Sequence, residues 1–595
     1  MMNTVQTGEI SPQKPLRLWP GVAAAVLLCL LKFVLPTVVP EAAVIAMLGG
    51  VLCGVAIFVW WAFFSCAPRT ERWGTFVLMI VASAATWFIL HKSIATAMMG
   101  MMFAFYSIPV LSLSLVIWAV LSQRLSDGLR RASLVVTILL ACGGWTLLRT
   151  DGVRGGGADL AWRWTKTSEE RLVALQPAAM AKIPEEQPVV NKAEDHPVAL
   201  PPVPVAAGTI ANWPGFRGPG RDSIVSVIRI KTDWSASPPV ELWRRQIGPG
   251  WSSFAVSGDL LYTQEQRGDD EIVSCYNANT GVPVWVHRDA ARFWESNAGA
   301  GPRATPTLHE GRVYSFGATG ILNALDARNG AVLWSRNAAS DTGKKIPGWG
   351  FASSPLVVGD LVVVATAGQL AAYDASTGAP RWFGPKDGGG YSSPQLLKLG
   401  GVEQILLISG IGATSVAPAD GAVLWTYPWP DSGGILQGAV TADGDLLIGG
   451  GGAMGGTGLR RVSVSHGPSG WNIEERWTSN GLKPYFSDFV VRDGHAFGFD
   501  GNILACIDLK DGKRKWKGGR YGQGQMVLLL DQGLLLVLSE EGELALVRAA
   551  TDQFTQLARF PAMEGKTWNH PVVAGDRLLV RNGSEMVAFR LALAP

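Results

Sequence analysis

The sequence predicts an all-β propeller of eight blades, preceded by an α-helical domain of five membrane spans. Three observations predict it. Uncharged apolar runs crowd the chain before residue 150, a segment ending in Trp keeps returning after residue 240, and a strand–turn–strand element returns in step with it. At 595 residues the chain is too long for one ordinary core. The expected boundaries are 1–150 for the membrane domain, 151–210 for a juxtamembrane helix and proline-rich linker, and 211–595 for the propeller.

The five apolar runs extend over about Leu18–Val39, Ala42–Phe64, Trp73–Leu90, Ala95–Leu121 and Ala132–Leu148. Most approach the length that crosses ~30 Å of hydrocarbon at ~1.5 Å per residue. A cleaved signal peptide accounts for one such run, not five. Lys14 and Arg17 precede the first run, Arg69 and Arg72 lie between the second and third, and Arg124, Arg130 and Arg131 between the fourth and fifth. The opposite loops carry Glu41 and then His91 and Lys92. The positive-inside rule therefore predicts a multi-pass protein of a bacterial inner membrane, with a cytoplasmic N-terminus and a periplasmic propeller. Met98, Met99, Met101 and Met102 invite a copper reading, and Lys32 a buried functional charge. Packing against neighbouring helices, and reach along a bundle groove, account better for the two.

After the fifth run, Thr167 and Glu170 have capping-box spacing, which predicts a short helix. Pro184, Pro188, Pro197, Pro201, Pro202 and Pro204 then mark an extended tether.

The repeat is plainest in "NALDARNGAVLW", ending at Trp334. Copies end at Trp285, Trp382, Trp425 and Trp516, and a degenerate one at Trp477. A further copy places Phe560 where the Trp is expected. The series begins with a half copy at Trp243, and its missing half is "MVAFRLALAP" at the far end of the chain. Eight copies of the second element, such as "SSPLVVGDLVVV", complete the pattern. Alternating β-branched residues make strands, and TG, NG or DG pairs supply the positive-φ positions that turn them back. Each Trp is expected to fill the space between blades, and the C-terminal strand to pair beside Trp243 and close the ring. Cys275 and Cys506 share the repeat position of Ala324 and Ala372, which predicts packed free thiols. A net charge of +3 without a basic stripe excludes a nucleic-acid binder. No CxxC or HExxH spacing points to zinc.

The pattern A-x-D-x-x-T-G-x-x-x-W resembles the pyrroloquinoline-quinone (PQQ) repeat of quinoprotein dehydrogenase-like propellers. "WPGFRGPGRDS" at Trp213, with "RFWESNAGAGPRATPTL", resembles a widespread branch of PQQ-binding-like propeller proteins. Five spans before a propeller also resemble the membrane-bound quinoprotein glucose dehydrogenases, which pass electrons from a sugar through PQQ to membrane ubiquinone. The resemblance implies PQQ and Ca²⁺ as cofactors, with an Asp as base toward an alcohol. The chain departs from that pattern: it has no adjacent cysteine pair, no Ca²⁺ triad that can be aligned, and none of the long insertions that build a substrate chamber. Its leanness resembles the non-enzymatic propeller of the outer-membrane protein assembly machinery, with five spans in place of a lipid-anchored cysteine.

Loops entering the innermost strands converge on a propeller's funnel, so any site is expected there. They supply Trp251, Arg303, Trp349, Tyr391, Gln437, Lys483, Tyr485, Gln523, Gln525, Trp568 and Asn569 as ligand-binding candidates. Aromatic rings would stack on a flat quinone and the cations would pair with its carboxylates. Glu295, Asn297, Asp488 and Asn569 are the candidate Ca²⁺ ligands, and Asp488, Glu295 and His570 the candidate catalytic groups. Against this stands a plainer account: glycines turn the chain at a crowded axis, aromatics plug the funnel, and a His beside Pro571 is structural. The favoured reading is a membrane-anchored propeller that binds a protein or small ligand without catalysis. The alternative is a PQQ- and Ca²⁺-dependent alcohol or sugar dehydrogenase feeding membrane quinone. A transport or signalling role for the membrane quarter comes last, because no intramembrane acid pair or inverted repeat is seen.

Overall fold

The computed structural model describes residues 16–39, 42–154, 157–179, 212–430, 432–452 and 455–595. Lys14, Glu41 and the tether prolines from Pro184 to Pro204 lie outside the described residues. The chain forms two compact units, 1–165 together with Glu295–Gly299, and 166–294 together with 300–595.

In the first unit five helices are long and apolar enough to cross a membrane: Trp19–Val38, Ile45–Phe64, Arg69–Ile89, Met102–Arg124 and Asp127–Leu147. The fourth starts later than the apolar run suggests. Met98 and Met99 adopt left-handed backbone angles (φ 51° and 57°), and Gly100 follows at φ 81°. The methionine cluster is therefore a turn, of which Met102 is buried in a core that Met98 packs against, while Met99 and Met101 are exposed. Lys32 lies in a π-helical turn with its Nζ 4.3 Å from the centre of the Tyr106 ring. Arg130 pairs with Glu71 at 2.9 Å, which places the starts of the third and fifth helices at one end. Where the sequence suggested only linker, Leu148–Arg154 and Gly157–Trp162 pair as an antiparallel hairpin.

The second unit opens with the helix Ser168–Ala179. Its capping box is reciprocal: Thr167 N–H donates to Glu170 Oε2 at 2.7 Å, and Glu170 N–H to Thr167 Oγ1 at 3.0 Å. Glu169 fastens the helix to the next sheet through Arg292 (2.7 Å) and Gly268 N–H (3.0 Å). Eight four-stranded antiparallel sheets then make an eight-bladed propeller, in which the split blade is blade 1. Blade 1 joins Val572–Ala574, Arg577–Arg581 and Glu585–Arg590 to Val240–Gln246, with Ala588 opposite Trp243. This pairing of the two ends of the propeller closes the ring. Blades 2 to 8 follow in order, with innermost strands beginning at Ala255, Thr307, Leu356, Gln395, Ala439, Val490 and Gln525. Ile224–Val225 adds a fifth, parallel strand to the inner edge of blade 8.

The repeat's residues are used at the turn and at the seam. Asp374 Oδ1 accepts from the N–H groups of Ser376 and Thr377, an Asx-turn that Asn277 and Asp508 reproduce in their blades. The outer-strand Trp of one blade lies on the turn glycine of the next at Gly281, Gly330, Gly378, Gly421 and Gly512, and its indole N–H donates to that turn's carbonyl; the turn that receives Trp516 has no glycine but keeps the hydrogen bond. The pairs are Trp243 with Ala278 O, Trp285 with Ala327 O, Trp334 with Ala375 O, Trp382 with Pro418 O, Trp477 with Leu509 O and Trp516 with Ala550 O, at 2.8–3.0 Å. Cys275 and Cys506 stand opposite Trp285 and Trp516 as Ala324 and Ala372 stand opposite Trp334 and Trp382. Both are buried free thiols whose pKa burial pushes up to about 12.

Two seams differ. Blade 6 has long outer strands, Gly455–Gly467 and Gly470–Ser479, which carry the turn away from Trp425. The Trp425 indole donates instead to Gln404 Oε1 of its own blade at 2.6 Å. In blade 8 the Trp register belongs to Ala558, opposite Leu546 at the strand bulge, and not to Phe560 two residues on. Phe560 packs edge-on against Phe589 and Trp234 across the seam to blade 1. The reason is topological. Blade 1 is split between the two ends of the propeller, so it has no outer turn on which a Trp from blade 8 could rest.

These seams make a prediction. Gly330→Ala puts a Cβ 2.5 Å from the Trp285 ring at φ +76°, whereas Gly343→Ala meets open space at φ +65°. Left-handed strain alone costs about 1–2 kcal/mol, so Gly343→Ala should lose that much. Gly330→Ala should lose at least about 2 kcal/mol more through overpacking, read from denaturation midpoints of the detergent-solubilised protein.

Candidate functional site

The funnel is built in two tiers by the residues that lead into the innermost strands. Two positions before those strands stand Ser253, Thr305, Ser354, Ser393, Gln437, Asp488, Gln523 and His570. Backbone N–H groups at this level donate to the side chain at the same level of the next blade. Ser253 donates to Thr305 Oγ1, Thr305 to Ser354 Oγ, Ser354 to Ser393 Oγ and Gln437 to Asp488 Oδ1, all at 2.9–3.0 Å. Ser253 Oγ donates to His570 O at 2.5 Å across the closing seam. Asp488 and His570 thus hold places that a Ser or Thr fills in other blades.

The segment Trp213–Val225 lies across this ring. Trp213 pairs with Val256 of blade 2, and Pro214 O accepts from Leu308 N–H of blade 3. Arg221 donates to Pro355 O and Ser354 O of blade 4, and Ile224–Val225 joins blade 8. Arg217, almost fully buried, reaches Phe489 O of blade 7 and lies 3.4 Å from Asp488 Oδ2. Its Nε also donates to Ser223 Oγ at 2.7 Å, and that hydroxyl meets His570 Nε2 at 2.8 Å. Arg217, Gly218, Arg221 and Ser223 all have positive φ, the backbone strain of a tightly folded plug. The segment floors the funnel.

This floor decides what the candidate acids and bases can do. Burial raises the Asp488 pKa above its ordinary value, opposed by Arg217 and by the Gln437 N–H. Arg217 supplies the positive charge that a metal ion would otherwise bring. Burial, with Arg217 nearby, lowers the His570 pKa to about 3, so the imidazole is neutral. Its Nδ1 meets Pro571 O at 2.8 Å. Asn569 Nδ2 donates to Ser252 O and Gly250 O, which leaves Oδ1 a buried acceptor without a partner among the described residues. Glu295 and Asn297 belong to the first unit, where Glu295 accepts from the Asn297 and Ala298 N–H groups of its own turn. Among the described residues no three His, Cys, Asp or Glu side chains are placed to hold a metal ion. A Ca²⁺ site needs six to eight oxygens. Asp488 is engaged by Arg217 and the Gln437 N–H, and Glu295 by its own turn, so neither carboxylate stands open to a Ca²⁺ ion.

The upper tier stands four positions before the strands and differs in chemistry. It contains Trp251, Arg303, Tyr391, Phe486 and Trp568. Ring centres run continuously from Tyr391 to Trp349 (5.0 Å), Tyr485 (6.4 Å), Phe486 (5.1 Å), Trp568 (5.0 Å) and Trp251 (4.7 Å). All six rings are partly exposed. The Lys566 ammonium lies 4.1 Å from the Trp568 ring centre and 5.4 Å from that of Trp251. Arg303 donates to Trp349 O at 3.1 Å and stacks on Phe293. Glu540 Oε1 accepts from the Trp568 indole at 2.8 Å and so sets the orientation of that ring. Gln525 donates to Phe486 O, and Gln523 to Asn502 Oδ1. Gln437 is buried in the lower ring, and Lys483 is exposed, with no aromatic ring over its ammonium among the described residues. Phe486, Lys566, Glu540 and Arg217 were not among the candidates. Phe486 and Lys566 neighbour Tyr485 and Trp568 in loops already singled out, and Arg217 lies in the Trp213 motif.

The family model for outer membrane protein assembly factor BamB (PQQ_2) matches residues 235–393 and 409–592, more than half of the chain. The chain belongs to that family. It is 33% identical over 112 residues to "Outer membrane protein assembly factor BamB" of Shewanella oneidensis, a match covering 18% of this chain and 26% of the relative. The chain thus spans about a quarter of the length of that curated relative. The crystal structure of BamB from Moraxella catarrhalis aligns with a TM-score of 0.42 at 15% identity, over 59% of this chain and 98% of its own. Quinohemoprotein alcohol dehydrogenase from Comamonas testosteroni aligns with a TM-score of 0.43 at 13% identity, over 64% and 80%. The PQQ_2 match covers blades and repeat, while the floor segment at Trp213 precedes it.

The floor supports two predictions. Arg217→Met strands a buried carboxylate and should cost about 3–5 kcal/mol, whereas Arg217→Met with Asp488→Asn should recover at least half of that. Equal losses in the two variants would refute the pairing. Because the His570 pKa is depressed, the stability it contributes is full above about pH 6.5 and is lost as the pH falls toward about 3. The slope is at most about 1.4 kcal/mol per pH unit. His570→Gln should flatten that acid limb in unfolding curves taken from pH 7 to 4.

Proposed function

We propose that this chain is a membrane-anchored propeller that binds a partner protein or small ligand at its funnel mouth and carries out no reaction there. One observation carries the reading. The exposed surface of the mouth is a continuous run of six aromatic rings with a cation, while the acid and imidazole beneath it are held by Arg217 and Ser223. Exposed aromatics with two rotatable torsions bind at low entropic cost and are the usual anchors of recognition surfaces. A base would need an unengaged acceptor near its substrate, and neither Asp488 nor His570 offers one.

The same proposal places the five helices in a bacterial inner membrane with the propeller on the periplasmic side. Its support is the distribution of Arg17, Arg69, Arg72, Arg124, Arg130 and Arg131 at alternate helix ends.

The test uses the full-length protein in cells and in detergent. A photo-crosslinking amino acid at Tyr391 or Tyr485 should yield one discrete adduct, at least five-fold weaker in Trp349→Ala. The same group at Val332, on an exposed outer strand, should yield none. Purified protein given PQQ with Ca²⁺ should not reduce a redox dye with alcohols or sugars. Sustained reduction abolished by Asp488→Asn would overturn the non-catalytic reading in favour of a dehydrogenase.

A further inference from the structure

The hairpin that follows the fifth helix, with the residues just after it, carries an aromatic pair. Trp162 and Trp164 stack nearly parallel, with ring centres 5.1 Å apart and planes 10° apart. Both remain largely exposed, at 52% and 68%. Two stacked indoles left open to water would form an apolar patch with nothing to cover it, and such patches mark interaction surfaces.

The position of the pair relative to the helices identifies the cover. Arg163, the residue between the two indoles, is pinned on both its backbone and its side chain. Its N–H donates to Leu147 O at 2.9 Å, and Leu147 is the last residue of the fifth apolar helix. Its guanidinium donates to Thr146 O at 3.3 Å and to Ile89 O at 3.4 Å, and Ile89 is the last residue of the third. The other strand of the hairpin is tied to the same end, because Thr150 N–H donates to Ser93 Oγ at 2.9 Å in the loop beyond the third helix. Phe88, Ile89, Leu147 and Leu160 are exposed apolar side chains beside these anchor points. The stacked pair is therefore continuous with an exposed apolar surface at the level where two helices long enough to cross a membrane end, the surface that would face lipid on the membrane-anchored reading proposed above. Indole has an apolar body and one N–H donor, which suits the boundary between acyl chains and head groups. Trp19 and Trp73, exposed at the starts of the first and third helices, stand at the opposite boundary.

We propose that the hairpin Leu148–Trp162 is an interfacial anchor, with the Trp162–Trp164 stack seated in the head-group layer of the bilayer and the Arg163 guanidinium beside it at the lipid phosphates. The anchor fixes the depth at which the chain leaves the membrane. Its occupant is the lipid surface. A partner protein on the stack is the competing occupant, and the test distinguishes the two.

The full-length protein is placed in nanodiscs of phosphatidylcholine and phosphatidylglycerol, either plain or brominated at carbons 6,7 or 11,12. The readout is the emission of wild type minus that of the Trp162→Phe/Trp164→Phe variant. The 6,7-dibromo lipid should quench this difference emission at least two-fold, and the 11,12-dibromo lipid should quench it less. Difference emission that is equal in plain and brominated discs, and quenched by aqueous iodide, would overturn the anchor. So would emission insensitive to both quenchers, which places the pair under protein. Trp162→Phe alone gives the same readout through Trp164 should the double variant not fold.

Discussion

The propeller depends on one contact: an indole lying flat on a glycine that has no Cβ. Gly281, Gly330, Gly378 and Gly421 each have positive φ, and at each a Cβ would come within 3 Å of the Trp ring of the preceding blade. Any other residue there would be strained twice, in its backbone and against the ring. The adjacent carbonyl then accepts the indole N–H, so one side chain contributes packing and a hydrogen bond to a neighbouring blade. Each blade needs both a Trp to give and a turn to receive. That explains why the pattern lapses where it does. Blade 6 has moved its turn outward and blade 1 has none, and at those seams Gln404, Trp234 and Phe560 provide other contacts.

The second constraint acts at the axis, where eight strands start side by side and their leading amides must find acceptors in a crowded space. The ring of Ser, Thr and Asp side chains supplies them blade to blade. Asp488 is one acceptor of that ring, and its charge brings Arg217 and the floor with it. Catalytic-looking residues at the foot of the funnel are thus explained by backbone satisfaction and ion pairing. Above the floor the loops carry no such obligation, and there the sequence has placed rings. Glu540 borders the run, and its carboxylate is engaged by the Trp568 indole and the Gln523 backbone N–H.

What could be read from the sequence follows the range of the interactions. Blade number, ring closure, the two thiol positions and the Thr167–Glu170 cap depend on local periodicity or on contacts that repeat, and each was legible. The Trp register of blade 8 was not. Phe560 attracts the eye because it is aromatic, but register is set by the bulge after Leu546, and a bulge leaves no mark in composition. The aromatic loops were legible as loops, since their Gly-rich approach to each inner strand repeats. Arg217 against Asp488 was beyond reach, because the partners lie far apart in the chain and only the closed ring brings them together. The hairpin after Leu148 was hidden for another reason: its glycines read as linker until the ends of two helices are seen to hold Arg163.

A repeat shared with redox enzymes says little about redox chemistry, and the residues show why. In "NALDARNGAVLW", Asp326 caps the turn, Gly330 receives Trp285, and Trp334 is given to Ala375. All three act at the outer strands and their turns, away from the funnel. A propeller can therefore keep its repeat while the residues before its inner strands change freely, because fold and site draw on different positions. In this chain the lower positions complete a hydrogen-bonded ring and the upper ones make a partly exposed aromatic run under a lysine. The same division lets the mouth and the hairpin after the fifth apolar helix each present exposed rings, one set by inner-strand approach and the other by the end of a helix.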